Sequence, residues 1–117
     1  MKETIKSIIE WHEQTFPDAT LEGQIEKFYD ELAEYNEEYN IKELADMYIV
    51  ACGIARFDSV QALDYFAVVY KAIMDYKLLA VPFLLREVID DKMQINRKRK
   101  WGKGKGNYQH IEEGEEE

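Results

Sequence analysis

The sequence predicts an all-α fold, a bundle of four or five helices. Three observations carry that prediction. Apolar residues recur at spacings of three and four along most of the chain, and residues suited to starting or stopping helices fall between those runs. No stretch alternates apolar with polar residues between turn signals, so no sheet is expected.

The elements follow in order. Ile5, Ile8, Ile9, His12 and Phe16 form one helical stripe, which Pro17-Asp18 ends. Leu21, Ile25, Phe28, Leu32, Tyr35 and Tyr39 alternate spacings of four and three, the pattern of a helix facing a bundle. Asn40 breaks that helix and can cap a third, Ile41 to Arg56. Asp58, with Gln61 three residues on, starts a fourth that carries Leu63, Ala67, Tyr70 and Met74 on one face. Asp75-Tyr76-Lys77 reads as a joint. Pro82 suits the first turn of a last helix, which runs through Val88, Ile89 and Ile95 towards Arg99. Gly102, Gly104 and Gly106 are expected to end the ordered structure. The resulting organisation is a helical domain over residues 1–106 and a flexible acidic tail over residues 107–117.

A length of 117 residues suits one domain with a modest core, which oligomerisation could extend. With 46% hydrophobic and 33% charged residues the chain is globular in composition rather than disordered. Cys52 is the only cysteine, so no internal disulfide can form, and a free thiol in an apolar run suits a reducing compartment. The N-terminal residues show no signal-peptide pattern, and the apolar run Leu44 to Ala55 is too short to span a bilayer. The expectation is a cytoplasmic protein without a membrane partner.

The net charge of −9 is unevenly placed. Residues 1–91 carry 8 basic and 19 acidic side chains, residues 92–111 carry 7 basic and none acidic, and residues 112–117 carry five glutamates. So acidic a body disfavours binding to nucleic acid.

Two acidic pairs share one spacing, Glu31-Leu-Ala-Glu34 and Glu43-Leu-Ala-Asp46. Residues three apart on a helix are neighbours, roughly 5–6 Å between Cβ atoms, so each pair can offer oxygens to a hard cation such as Mg²⁺. On antiparallel helices joined near Asn40, all four carboxylates can converge. Plainer readings stand beside this one. Glu22, Glu26, Asp30, Glu37 and Glu38 share the second helix, so Glu31 and Glu34 also suit a solvated face. Glu43 stands three residues after Asn40, where a capping box places its glutamate. Asp46 differs, because it is the only charge from Leu44 through Ala55 and needs a cation. Its own helix offers only Lys42 at a spacing of three or four, so a metal fits better.

The basic block supplies a complement. Lys92, Asn96 and Arg99 follow at spacings of four and three, presenting an ammonium, an amide and a guanidinium on one face. Such a face can grip phosphate oxygens. A solvated basic terminus or a nucleic-acid arm remains the alternative.

Taken in order, these motifs resemble a known family. Asp30-Glu31-Leu-Ala-Glu34 followed by Glu43-Leu-Ala-Asp46 is similar to the E-E-x-x-E…E-x-x-D signature of all-α, MazG-like nucleoside-triphosphate pyrophosphohydrolases, with Asp30 replacing the first glutamate. Trp11, Phe16 and Pro17 before the acidic helix, and Lys92, Asn96, Arg99 and Trp101 after it, resemble a branch acting on dATP and dGTP that is common in bacteriophages. The likeness spans roughly residues 8–110.

The resemblance implies Mg²⁺, or Mn²⁺ in its place, held by Glu31, Glu34, Glu43 and Asp46. It implies phosphate contacts from Lys92, Asn96 and Arg99, and conversion of NTP to NMP and pyrophosphate. It further implies a homodimer or homotetramer. Glu34 and Glu38 are the candidates for accepting the proton of the attacking water. Trp11 can stack on the base or close the core. His12 reads as a packed histidine rather than a catalyst. Two other functions stay open: a nucleotide-binding or regulatory module without turnover, and a helical interaction protein with a basic arm.

Overall fold

The structure, a computed structural model, describes residues 2–75, 81–103 and 108–111. Among these are five helices: α1 (Ile5–Thr15), α2 (Leu21–Glu38), α3 (Ile41–Phe57), α4 (Ser59–Asp75) and α5 (Val81–Lys98). A short hairpin of β1 (Lys100–Lys103) and β2 (Tyr108–Ile111) follows. No helix among the described residues is long and apolar enough to cross a membrane.

Local chemistry accounts for the helix boundaries. Thr4 and Ser7 close a reciprocal capping box at the start of α1, with bonds of 3.0 and 2.8 Å. Thr20 accepts the Gly23 N–H to begin α2. That helix ends where Tyr39 turns left-handed (φ 55°), its ring stacked on Tyr35 at 5.2 Å. Asn40 Oδ1 then accepts from the N–H groups of Lys42 and Glu43, and Asp58 Oδ1 does the same for Val60 and Gln61 at the head of α4.

The central element is α3, which packs against α1, α2, α4 and α5. Its apolar residues point in every direction, and Leu44, Ala45, Met47, Ala51, Cys52 and Ile54 are wholly buried. A helix apolar all round requires this surrounded position. Burial pushes the Cys52 thiol well above its usual range, so it is a packing group rather than a nucleophile.

Two expectations are corrected. The first concerns α4, whose buried residues are Ala62, Phe66, Val69 and Ala72. The stripe read from the sequence lies one residue on, about 100° around the helix, with Leu63, Tyr70 and Met74 65%, 54% and 79% exposed. This helix carries two apolar stripes, and the one holding small residues together with Phe66 seats against α3. The second concerns the expected absence of a sheet. Lys100 pairs with Ile111, Trp101 with His110, Gly102 with Gln109 and Lys103 with Tyr108, antiparallel. Strands of four residues are too short to show alternation, and a glycine-rich segment between them is itself a hairpin signal. Gly102 therefore lies within a strand and regular structure recurs at residues 108–111, while residues 76–80, 104–107 and the acidic residues 112–117 lie outside the described residues.

Candidate functional site

The sequence-derived site residues come from distant parts of the chain, and packing around α3 brings most of them to one cavity. It measures about 290 Å³ and is lined by residues of α1, α2, α3, α5 and β1. That is near the lower end of the roughly 300–1,000 Å³ of ligand pockets. Trp11, Glu31, Glu34, Asp46, Lys92, Asn96 and Arg99 all line it. Glu43 and Glu38 do not.

One wall is acidic. Carboxylate oxygens of Glu31, Glu43 and Asp46 lie within 4.8 Å of one another. Glu34 is exposed, stands outside that closest group, and is a neighbouring carboxylate that helps raise both Glu31 and Glu43. Glu38 reaches Glu43 from the end of α2. Burial, then the neighbouring Asp46 carboxylate, raises Glu31 to about 8 and Glu43 to about 7. The cluster thus retains protons at neutral pH that an entering cation would displace.

Asp46 carries a correction to the sequence argument. Its helix offers it little, yet α5 delivers Lys92 Nζ to 3.2 Å from its Oδ2. Its carboxyl is still raised by burial, with Lys92 the main opposing influence. Lys27 stands 3.7 Å from Glu31 in the same way. Four carboxylates and two ammonium groups leave a formal deficit matching one divalent cation.

Mg²⁺ is the ion the sequence resemblance implies, and the donor set fits it. All the donors are hard oxygens. Glu31 Oε2 and Glu43 Oε2 are buried without a hydrogen-bond partner among the described residues, which buried carboxylates seldom tolerate. For Glu43 this also weakens the capping-box explanation. Asn40 caps α3, but the reciprocal bond seen between Thr4 and Ser7 in α1 has no counterpart there.

Basic, amide and aromatic groups complete the cavity lining. Lys92 and Asn96 project from α5, and Arg99 follows from the turn into β1. Trp101 Nε1 donates to Asn96 O at 3.2 Å, tying the hairpin to the helix end. Its ring meets Trp11 edge-on at 6.2 Å and Phe16 at 5.1 Å. Trp11 is largely buried yet lines the cavity, so its packing and stacking roles are compatible.

Sequence reading missed Gln24 and Lys27. A signal for them existed: Gln24, Lys27, Glu31 and Glu34 follow at spacings of three, four and three, a polar stripe beside the apolar stripe of α2, and all four line the cavity. His12 is buried, as expected of a packed histidine, but it too lines the cavity. Burial lowers it to about 4, so the ring is neutral. Arg56, from the last turn of α3, holds the ring by a 3.0 Å contact to Nδ1 and donates to Phe16 O at 2.8 Å. No family model, no curated protein and no solved structure matches this chain.

Proposed function

We propose that this protein hydrolyses deoxynucleoside or nucleoside triphosphates, with purine deoxynucleotides such as dATP and dGTP as the expected class, to the monophosphate and pyrophosphate. The observation that carries this reading is the composition of a single cavity, whose lining combines carboxylates, the Lys92, Asn96 and Arg99 set, and a tryptophan pair. A metal-bound triphosphate with a planar base needs those three sets of groups. The resemblance of the ordered motifs to MazG-like pyrophosphohydrolases supports the same conclusion.

Glu31, Glu43 and Asp46 would hold Mg²⁺, with Glu34 closing the set from the exposed side. When bound, the ion supplies neutralisation of the triphosphate and acidification of water. Arg99 grips phosphate oxygens through its planar fork, and Lys92 adds a point charge where the polyphosphate approaches Asp46. Water attacks the α-phosphorus, the bond from that phosphorus to the bridging oxygen breaks, and pyrophosphate leaves. Glu34 is better placed than Glu38 to accept the water's proton, since it lines the cavity and Glu38 does not. A panel of the eight common ribo- and deoxyribonucleoside triphosphates with Mg²⁺, its products separated, is expected to yield NMP and pyrophosphate. Accumulation of NDP and orthophosphate would sink the assignment, and tight binding without product would favour a regulatory module.

The assembly reading is a homodimer, itself open to pairing into a tetramer. Its support is the exposed stripe of α4. Val60, Leu63, Ala67, Tyr70 and Met74 alternate spacings of three and four, a heptad-like seam with a small residue at its centre. A two-fold axis at Ala67 sets Val60 against Met74 of a second copy and brings Asp64 beside Lys71, so the seam is complementary to itself. Size measurement by light scattering is expected to give a dimer or larger for the native chain and a monomer for Leu63→Glu, with helix content retained because Leu63 is exposed. A monomeric native chain would refute this surface.

A further inference from the structure

We propose that Gln24 selects the nucleobase, donating from its Nε2 to an oxo group on the base edge, and that His12 and Arg56 position it. This rests on the reading of the cavity as a triphosphate site and sharpens which bases that site takes.

Arg56 lies outside the cavity lining and can only donate hydrogen bonds. Its Nη1 stands 3.0 Å from His12 Nδ1, so that nitrogen is the acceptor and the ring proton sits on Nε2. The depressed titration of His12 agrees with a neutral ring. The Nε2–H of the ring then faces Gln24, whose only acceptor is Oε1, and the amide favours the charged ring as an acceptor does.

Gly53 locates both atoms. A Cβ added there would stand 2.7 Å from Gln24 Oε1 and 2.8 Å from His12 Nε2. Both atoms therefore lie over the bare backbone of α3 at Gly53, which is not part of the cavity lining, so the amide oxygen faces α3. The amide orientation that follows leaves Nε2, with two protons, on the cavity side. Gln24 and His12 are each 3% exposed. A buried amide lining a cavity beside Trp11 and Trp101 is equipped to present its Nε2 protons to a ligand acceptor.

The chemistry then discriminates. Glutamine commonly reads adenine through both amide atoms, the oxygen taking the amino group and the nitrogen facing N7. Here the oxygen is committed to His12, and only donation remains. An oxo group at purine C6, or at pyrimidine C4, accepts from Nε2. An amino group there sets donor against donor and leaves the buried amide unpaired, the situation that gives binding sites their sharpest rejection. Within the purine class, the preferred bases are the 6-oxopurines.

The test compares kcat/KM for dGTP, dITP and dATP in the native enzyme, Gln24→Leu and Gln24→Glu. The native enzyme is expected to favour both oxo substrates over dATP by about 10–100-fold. Gln24→Leu should bring that ratio close to one. Gln24→Glu, which presents an acceptor in place of the donor, should invert it towards dATP, a response that a purely structural role would not produce. A native ratio near one, or a ratio that survives both substitutions, overturns the proposal while leaving triphosphate hydrolysis intact. Absence of hydrolysis with all three substrates instead overturns the triphosphate reading and this inference with it.

Discussion

Replacing Asp46 by asparagine is expected to lower Mg²⁺-dependent pyrophosphate release by about 10³-fold or more, the scale of losing several kcal/mol of metal-assisted stabilisation. The exchange is nearly isosteric, so the fold has little reason to change. What changes is charge. Asp46 is the acidic member of α3 that faces both the carboxylate cluster and Lys92. Asparagine would leave the buried oxygens of Glu31 and Glu43 with a weaker third ligand, and Lys92 without its ion-pair partner. Two measurements check this: product formation with NMP and NDP separated, and direct titration with Mn²⁺ in the absence of nucleotide. Activity within a few-fold of the native enzyme, or unchanged Mn²⁺ affinity, would show that the cluster is not a metal centre.

Arg56→Met is expected to cost about 2–4 kcal/mol of folding stability, because a hydrogen bond from a charged donor contributes roughly 1.5–3 kcal/mol and losses within one network do not simply add. Arg56 Nη1 serves His12 Nδ1 at 3.0 Å, Phe16 O at 2.8 Å and His12 O at 3.4 Å. Its guanidinium also sits 4.6 Å from the centre of the Phe57 ring. Methionine keeps much of the packing and none of the donors, so a buried imidazole nitrogen and the carbonyls at the end of α1 lose their partner. Chemical denaturation should show a lower midpoint at unchanged slope. The same variant should blur base discrimination, since nothing then fixes the His12 tautomer that orients Gln24. A stability loss under about 0.5 kcal/mol, the scale of an ordinary surface substitution, would contradict this role.

How much was legible beforehand varied with the kind of information involved. The apolar stripe of α2 and the apolar run of α3, broken only by Asp46, identified the bundle, and Asn40 and Asp58 marked the caps that are observed. The polar stripe Gln24–Lys27–Glu31–Glu34 was equally present in the sequence. It was overlooked because α2 carries so many acidic residues that a functional row and a solvated row look alike. On α4 the difficulty was of another kind. Two apolar stripes lie side by side, and periodicity cannot say which of them meets α3. The hairpin escaped because four-residue strands are below the length at which alternation can be recognised.

The sequence by itself determined that this chain is helical, that α3 must be enclosed, and that Asp46 requires a cation nearby. Those properties are local: spacing, capping chemistry and the cost of placing one charge in an apolar helix. Only the tertiary structure decided which cation answers Asp46 in the folded chain, bringing Lys92 from 46 residues away. It alone decided that Arg56 meets His12 and that His12 and Gln24 share one cavity, because contacts between residues on different helices depend on how those helices pack. No pattern along a single helix records that packing.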